Sequence, residues 1–383
     1  MESMNETPSA SFRTDLHLIP AYVPGRSIPD ACKLASNEVV AGPSQRVLDA
    51  ILEEAASANR YPDTSSADLR AAIANTINRD LQQHNPSTDS HITPENVVVG
   101  NGSVALLQHL IQATCTGNAA AGDEHVAPKD VVMPWRSFEA YPSLARVAGA
   151  GIVQVPLLPD ATHDMAAMAD AANQPNVGLV MLCNPNNPTG ETFSNQQLVD
   201  VLEAIPQDVV VALDEAYYHY NRRGDEPRSV ELLQQFPNLV IFRTFSKAYG
   251  LAGLRVGYML GSEYACTQLG KVVIPFSSNR LAQVAALAAL QERDELMART
   301  EEVVSERQRV RDALINIGFD VPNSEANFVW IPTREATKLT DYMTEQGVLV
   351  RSFAGEGVRI TVTTKEENDR MLNAIAGYPG LPR

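Results

Sequence analysis

Residues 177–190 read VGLVMLCNPNNPTG, an apolar run that passes directly into a turn rich in Asn and Pro. An apolar run without polar alternation is typical of a strand in a parallel sheet that is covered on both faces. Four further runs share this character, at residues 97–99, 131–133, 209–213 and 239–242. Helical patterns separate the runs, so the sequence predicts an α/β fold with a large, mostly parallel sheet.

The pattern changes after about residue 280, where a second, smaller α+β unit is predicted. A long charged helix is expected over roughly residues 294–317, followed by short strands at 328–331, 348–351 and 358–362. Thr364 and Glu367 have the spacing of a capping box for a last helix, as Ser194 and Gln197 do for an earlier one. The expected division is an N-terminal arm (1–35), a large domain (66–279) and a small domain (36–65 with 280–383).

Composition and charge exclude several classes of protein. The 383 residues include 46 Asp and Glu against 30 Lys and Arg, a formal net charge of −16, so we expect no nucleic-acid partner and no membrane partner. No run approaches the roughly eighteen apolar residues of a membrane span, and no secretory signal is visible. The four Cys are scattered without a C-x-x-C pair, so we expect no metal site, no disulfide framework and a cytoplasmic location.

A glycine-rich turn joins the first predicted strand to a helix, where residues 97–105 read VVVGNGSVA. Backbone N–H groups at such a helix start attract an anion. The spacing also fits the G-x-G-x-x-A pattern of dinucleotide sites, but that pattern needs an acidic residue after the next strand, and residues 131–134 end without one. A phosphate site of another kind is favoured, and a plain tight turn is the alternative.

Polar residues follow three more predicted strands, at the sheet edge where open α/β sheets bind ligands. The three Asn of residues 184–190 indicate either hydrogen bonding to a ligand or a stiff structural turn. Asp214 could be a helix N-cap or the partner of a buried cation. Lys247, in the stretch TFSKAYGLAGLR (244–255), could be a solvated charge, but its position after a buried strand favours a desolvated amine able to form a Schiff base.

These segments together resemble a known enzyme family. Residues 244–253, with 184–190 and 214–217, resemble the lysine signature and companion motifs of class II pyridoxal-phosphate-dependent aminotransferases, in order and spacing. Further segments resemble the histidinol-phosphate aminotransferase subfamily, and within it most closely the aromatic amino acid (phenylalanine) aminotransferases. These segments are residues 22–25, 34–38, 60–63, 350–351 and 358–362. The resemblance covers the chain from about residue 22 to the last helix and implies an aspartate-aminotransferase-like fold (PLP fold type I).

The resemblance also implies pyridoxal 5'-phosphate as cofactor and a role for each matching residue. Lys247 would hold the cofactor and act as the proton-transfer base, Asp214 would keep the ring nitrogen protonated, and Tyr217 would bond the ring oxygen as the third catalytic residue. Asn187 would bond the ring oxygen together with Tyr217. The other cofactor-binding residues would hold the phosphate, stack on the ring or line its wall, and they are Gly102, Ser103, Val104, Phe138, Thr244, Ser246 and Arg255. Tyr61 would reach the phosphate of a neighbouring subunit, which implies a homodimer with shared active sites.

Substrate residues are implied in the same way. Arg359, with Asn37, would clamp the α-carboxylate, although on local evidence Arg359 could be a surface charge on an edge strand. Tyr22 and Arg351 match residues around the distal end of the substrate. We expect transamination of an aromatic amino acid with 2-oxoglutarate, because segments 135–139, 326–330 and 352–358 are more like the aromatic group; histidinol phosphate is the alternative substrate. A decarboxylase or acyltransferase of the same fold would share Lys247 and Asp214.

Overall fold

The computed structural model describes residues 12–19, 21, 28–119 and 125–381. The strands are β1 (Cys32–Lys33), β2 (Val97–Gly100), β3 (Asn118–Ala119), β4 (His125–Val126), β5 (Asp130–Trp135), β6 (Gly151–Pro156), β7 (Val177–Cys183), β8 (Val210–Asp214), β9 (Leu239–Thr244), β10 (Gly257–Leu260), β11 (Phe328–Pro332), β12 (Val348–Leu349), β13 (Arg351–Phe353) and β14 (Gly357–Thr361). The helices are α1 (Gln45–Ala55), α2 (Ala67–His84), α3 (Ser103–Cys115), α4 (Ala140–Ala148), α5 (Met165–Ala172), α6 (Asn195–Ala204), α7 (Ser229–Leu232), α8 (Glu263–Gly270), α9 (Arg280–Gln291), α10 (Arg293–Ile317), α11 (Ala336–Glu345) and α12 (Lys365–Ala376). Short 3-10 turns cover Thr14–Leu18, Pro94–Asn96, Tyr218–Tyr220 and Ala252–Leu254.

The large sheet has seven strands within the described residues, in the order β2-β10-β9-β8-β7-β5-β6. Only β10 runs antiparallel to its neighbours β2 and β9; the other pairs are parallel. The five apolar runs of the sequence are all strands of this sheet, so the predicted mostly parallel α/β architecture is confirmed. Every residue of β7 and β9 is buried, as expected for strands with both faces covered.

Helices cover this sheet on both sides. Helices α3 and α4 pack with one face, where Leu107 and Tyr141 are in one apolar cluster with Met181 and Phe242. Helices α2, α5, α6 and α9 pack with the other face and form a second apolar cluster. The result is a three-layer domain whose carboxyl strand edge is open between the layers.

The small domain is built around an antiparallel sheet of β11, β14 and β13. The single strand predicted over residues 348–351 is instead two strands in different sheets. Residues 348–349 pair in parallel with β1, from the beginning of the chain, whereas Arg351 begins the strand that pairs with β14. The chain therefore changes sheets at Val350.

The packing of four segments differs from the expected domain division. Helices α1 and α9 pack against each other, and their buried residues belong to the large-sheet core, which extends to Leu296 at the start of α10. Val310 and Leu314, later in α10, belong to the small-domain core, so α10 spans both units. Cys32 and Leu34 also pack in the small domain. The amphipathic sequences of α1 and α9 show that each buries one face, but not against which core.

Helix caps form at both predicted positions, but only the first is a complete capping box. Ser194 and Gln197 form the predicted capping box, and the Thr364 hydroxyl accepts from the Glu367 backbone N–H. Within the described residues, no helix combines the length and apolar character that crossing a membrane requires.

Candidate active site

The polar motifs meet at the carboxyl edge of the large sheet. Strands β7, β8 and β9 are adjacent and parallel and end at Cys183, Asp214 and Thr244. Because parallel strands end on the same side, the residues that follow them converge there. The backbone N–H of Asn184 donates to the carbonyl of Asp214 at 3.0 Å, which fixes one motif against the next.

Lys247 lies half-buried just beyond β9. Its Nζ donates to the backbone oxygens of Ser36 (3.1 Å) and Asn37 (3.3 Å) and lies 5.7 Å from the centre of the Tyr217 ring. Burial, followed by the positive charge of Arg359, lowers the pKa of Lys247 to about 7. An amine with this pKa is neutral in part near pH 7, and it is therefore a nucleophile and proton acceptor rather than a solvated surface charge.

Asp214 is a buried carboxylate at the end of β8. Its Oδ2 accepts from the Tyr141 hydroxyl at 2.8 Å, and its Oδ1 accepts from the Ala216 backbone N–H at 3.1 Å. Within the described residues no ion pair involves it, and burial raises its pKa to about 6. The Ala216 contact is a local turn cap, but a charged carboxylate at this depth is stabilised mainly by a cation.

Tyr141 is a site residue that the sequence reasoning missed. Its side chain is fully buried in α4, and its ring stands edge-on to Phe138 with 5.4 Å between centroids. Tyr141 therefore links Phe138 to Asp214. The signal that could have found it is its position three residues after Phe138, because the turn that leads into α4, in which the Tyr141 N–H donates to the Phe138 carbonyl, brings the two rings together.

An anion pocket is formed where α3 begins. The first N–H groups of this helix, at Ser103 and Val104, have no acceptor one turn earlier within the helix. Arg255 Nη1 donates to the Ser246 hydroxyl at 3.3 Å, and Ser246 also accepts from the Thr244 hydroxyl at 2.9 Å.

Gly102 keeps this pocket open. It has a φ of +82°, in the region that favours glycine, and a Cβ at this position would lie 2.6 Å from Arg255 Nη2. The predicted phosphate residues are therefore brought together around one space.

Arg359 lies on β14 with only 7% of its surface exposed, which does not fit a surface charge. Its Nη1 donates to Asn187 Oδ1 and its Nη2 to the Ala35 backbone oxygen, each at 2.6 Å, whereas its buried Nε has no partner. Asn37 does not bond Arg359 directly: its amide donates to the Tyr217 hydroxyl at 2.9 Å. Asn187, Arg359, Asn37 and Tyr217 thus line one side of the site.

The remaining predicted residues lie in different surroundings. Arg351 is opposite Arg359 in the β13–β14 pair and forms a two-pronged ion pair with Glu139. Tyr61 is 77% exposed, and its ring stacks on Phe276 with 4.4 Å between centroids rather than on another predicted site residue. Tyr22 lies outside the described residues.

Comparison with known proteins decides the family. A family model for aminotransferase class I and II matches residues 29–375. The chain belongs to this family. The cofactor of class I and II aminotransferases is pyridoxal 5'-phosphate, so the expectations of an aminotransferase and of this cofactor are confirmed.

Relatives of this aminotransferase carry consistent names. The aromatic amino acid aminotransferase of Corynebacterium efficiens is 48% identical over 364 residues, covering 95% of this chain and 98% of the relative. That of Rhodococcus opacus is 49% identical over 361 residues, covering 94% of each chain. The resemblance seen in the sequence motifs is therefore confirmed over nearly the whole chain.

Solved structures share the fold. The histidinol-phosphate aminotransferase of Sinorhizobium meliloti in complex with pyridoxal-5'-phosphate superposes with a TM-score of 0.78 at 27% identity, covering 90% of this chain and 89% of that one. The aspartate aminotransferase of Thermus thermophilus with maleate gives a TM-score of 0.74 at 22% identity, with 91% of each chain covered. The predicted aspartate-aminotransferase-like fold is confirmed.

The residues of this aminotransferase fit its family's cofactor. The pocket at Gly102 is lined by N–H groups, a hydroxyl and a guanidinium, a donor set suited to a phosphate. The buried carboxylate of Asp214 needs a cation, which a protonated pyridine nitrogen supplies. Ser246, Arg255, Asp214 and Lys247 would therefore hold the cofactor, which when bound stabilises negative charge that develops at the substrate α-carbon.

The lowered pKa of Lys247 determines how its chemical reactivity should depend on pH in the cofactor-free protein. Its labelling by an amine-specific reagent should increase up to about pH 7 to 8 and then level off, because the amine is by then neutral, whereas an ordinary exposed lysine continues to gain reactivity to about pH 10. Mass spectrometry of the peptide that contains Lys247 measures this, and Lys247→Arg is the control without the amine. A labelling rate that climbs steadily to pH 10 would contradict the assignment.

The contact between Tyr141 and Asp214 makes a second prediction. The Tyr141 hydrogen bond lowers the pKa of Asp214 against the effect of burial, so Tyr141→Phe should raise that pKa above about 6, by roughly one unit for a bond to a charged group. Carbon-13 NMR of labelled aspartate in the cofactor-free protein measures it. Tyr220→Phe removes a hydroxyl from an equally buried ring and should leave the Asp214 titration unchanged; equal titrations in both variants would refute the link.

Proposed function

We propose that this aminotransferase transfers the amino group of an aromatic amino acid, of the phenylalanine or tyrosine type, to 2-oxoglutarate, giving the aromatic 2-oxo acid and glutamate. The relatives named aromatic amino acid aminotransferase support this substrate class. The observation that carries the proposal is the pairing of Arg351 with Glu139, since it neutralises the cation that a second phosphate would otherwise bind.

The proposed chemistry assigns one task to each side chain. Lys247, whose amine is neutral in part near pH 7, takes a proton from the α-carbon of the amino acid. In the second half-reaction it gives a proton to the α-carbon of the 2-oxo acid. With the cofactor bound, Asp214 would keep the ring nitrogen protonated, and Phe138 would stack on the ring. Tyr217 and Asn187 would bond the ring oxygen.

Substrate orientation is the task of Arg359. Its guanidinium binds the α-carboxylate as a fork, and its unpaired Nε is available for one of the two bonds. Aromatic side chains surround it: its Cζ lies 5.4 Å from the ring centre of Phe328 and 5.9 Å from that of Phe353. Trp330, the cross-strand partner of Arg359, stands edge-on to Phe353 at 5.3 Å. Apolar rings next to the carboxylate clamp support an uncharged, ring-bearing substrate.

Histidinol phosphate is the second candidate, and Arg351 is the observation that favours it. A guanidinium binds a phosphate through two parallel hydrogen bonds. Here, however, Glu139 already accepts from Arg351 Nε and Nη2 at 2.9 to 3.1 Å, so the phosphate would have to displace a carboxylate.

A steady-state comparison distinguishes the two substrates. With 2-oxoglutarate as acceptor, kcat/KM for phenylalanine should exceed that for histidinol phosphate by about tenfold or more. The phosphate of histidinol phosphate is poorly matched to an Arg351 that is already paired with Glu139, and one such mismatch lowers kcat/KM by about this factor. Lys247→Arg should abolish both reactions. A kcat/KM about a hundredfold higher for histidinol phosphate would make histidinol phosphate the favoured substrate. An enzyme that transfers the amino group from neither compound would overturn the proposal.

We further propose that the enzyme is a homodimer in which Tyr61 completes the phosphate site of the partner subunit. Tyr61, Ile274 and Phe276 form an exposed apolar patch, in which Ile274 is 62% exposed. Exposed apolar groups of this size are typical of interfaces. A role for Tyr61 across the interface accounts for an exposed aromatic ring that stacks on Phe276 and not on a predicted site residue of its own chain.

Mixed dimers test this arrangement. Lys247→Arg and Tyr61→Ala should each be poorly active alone, but a hybrid dimer combines intact Lys247 of one chain with intact Tyr61 of the other at one site. Random exchange of equal amounts should therefore restore about a quarter of the wild-type activity. If Tyr61 acted within its own chain, mixing would restore nothing beyond the sum of the two variants. Sedimentation of the wild type as a monomer would reject the dimer directly.

A further inference from the structure

Glu139 bridges the two domains beside the candidate substrate site. It immediately precedes α4 in the large domain, next to Phe138, and it contacts Arg351 on β13 of the small domain. Arg351 Nε donates to Oε2 at 3.1 Å, and Arg351 Nη2 donates to Oε1 at 3.1 Å and to Oε2 at 2.9 Å. Both carboxylate oxygens are therefore engaged by one guanidinium.

The bridge lies within electrostatic reach of the carboxylate clamp. Arg351 and Arg359 are cross-strand partners, so their side chains project from the same face of the small sheet. Burial lowers the pKa of Arg359; the charge of Glu139 opposes this effect and that of Arg351 adds to it. Glu139 thus offsets one of two cations that would otherwise lie side by side.

This bridge can open at little cost. About a third of each side chain is exposed, 34% for Arg351 and 37% for Glu139. Ion pairs with this exposure contribute little to stability, because water screens the charges and both side chains lose conformational freedom. A competing carboxylate of similar geometry can replace Glu139 without loss of the bidentate contact.

We propose that Glu139 is a specificity-determining residue that lets one site accept both an aromatic and a dicarboxylic substrate. It neutralises Arg351 while an uncharged ring is bound, and the distal carboxylate of the acceptor 2-oxo acid displaces it from Arg351. The inference rests on the proposed function, because it assumes that the substrate side chain extends from Arg359 towards Arg351.

The charge of Arg351 explains both why an aromatic substrate needs Glu139 in place and why a dicarboxylate displaces it. An aromatic ring placed against an unpaired guanidinium would remove water from the charge, and cation–π attraction would offset only part of that loss. With Glu139 in place, the ring contacts a neutralised pair. A dicarboxylate instead supplies its own negative charge, and Glu139 then returns to water.

Glu139→Gln tests the proposal, since it removes the charge and keeps the size. Separate half-reactions of the holoenzyme should show kcat/KM for 2-oxoglutarate rising about tenfold through a lower KM, and kcat/KM for phenylalanine unchanged or lower. Titration calorimetry with glutarate and 3-phenylpropionate, which cannot react, should show tighter binding of glutarate only.

Glu356→Gln is the matched control. Glu356 pairs with Arg136, only three residues before Glu139, and also joins the large domain to the small one. This variant should leave the ratio of the two half-reactions unchanged. If Glu139→Gln also leaves the ratio unchanged, or slows both half-reactions equally, the bridge is structural only and the inference is wrong. A wild-type enzyme without activity towards aromatic amino acids would instead refute the proposed function.

Discussion

The burial of Asp214 is the constraint around which the site is organised. A carboxylate at the end of a central strand has lost most of its water, and its two hydrogen bonds, from Tyr141 and from the Ala216 backbone, leave its pKa near 6. Its anionic form is stabilised further by a neighbouring cation, which the ring nitrogen of the family's cofactor would provide. Burial has the converse effect on Lys247: it lowers the pKa of the amine to about 7, so a substantial fraction of the amine is uncharged near pH 7. One desolvated pocket therefore holds both a carboxylate and an amine that can accept a proton.

Most of the fold followed from periodicity and order along the chain. Runs such as residues 177–182 could only be strands buried on both faces, and polar residues directly after them had to meet at one sheet edge. The assignment of α1 and α9 did not follow, because an amphipathic helix shows that it has a buried face but not which core covers it. The split of residues 348–351 between two sheets depends on a partner strand from the other end of the chain, which local sequence does not reveal.

The candidate site shows the same division between local and distant information. Lys247, Asp214 and the turn at Gly102 each follow a predicted strand. The expectation that these strands are parallel was therefore enough to place the three features at one edge of the sheet. The pairing of Glu139 with Arg351 joins residues 212 positions apart, and neither residue has a local feature that indicates the other. Tyr141 was missed for a different reason. The sequence indicates only that a tyrosine in an apolar helix is a core residue, and it does not indicate that the hydroxyl donates to the Asp214 carboxylate.

The parallel pairing of β1 with β12 has a consequence for how the enzyme is made. Lys247 and Arg359 both donate to backbone oxygens of residues 35–37, which directly follow β1. This segment leaves the ribosome about 300 residues before its partner at Val348. The nascent large domain can fold around its own core while the site still lacks one wall. Substrate can therefore be held only after synthesis has passed Val348 and Arg359.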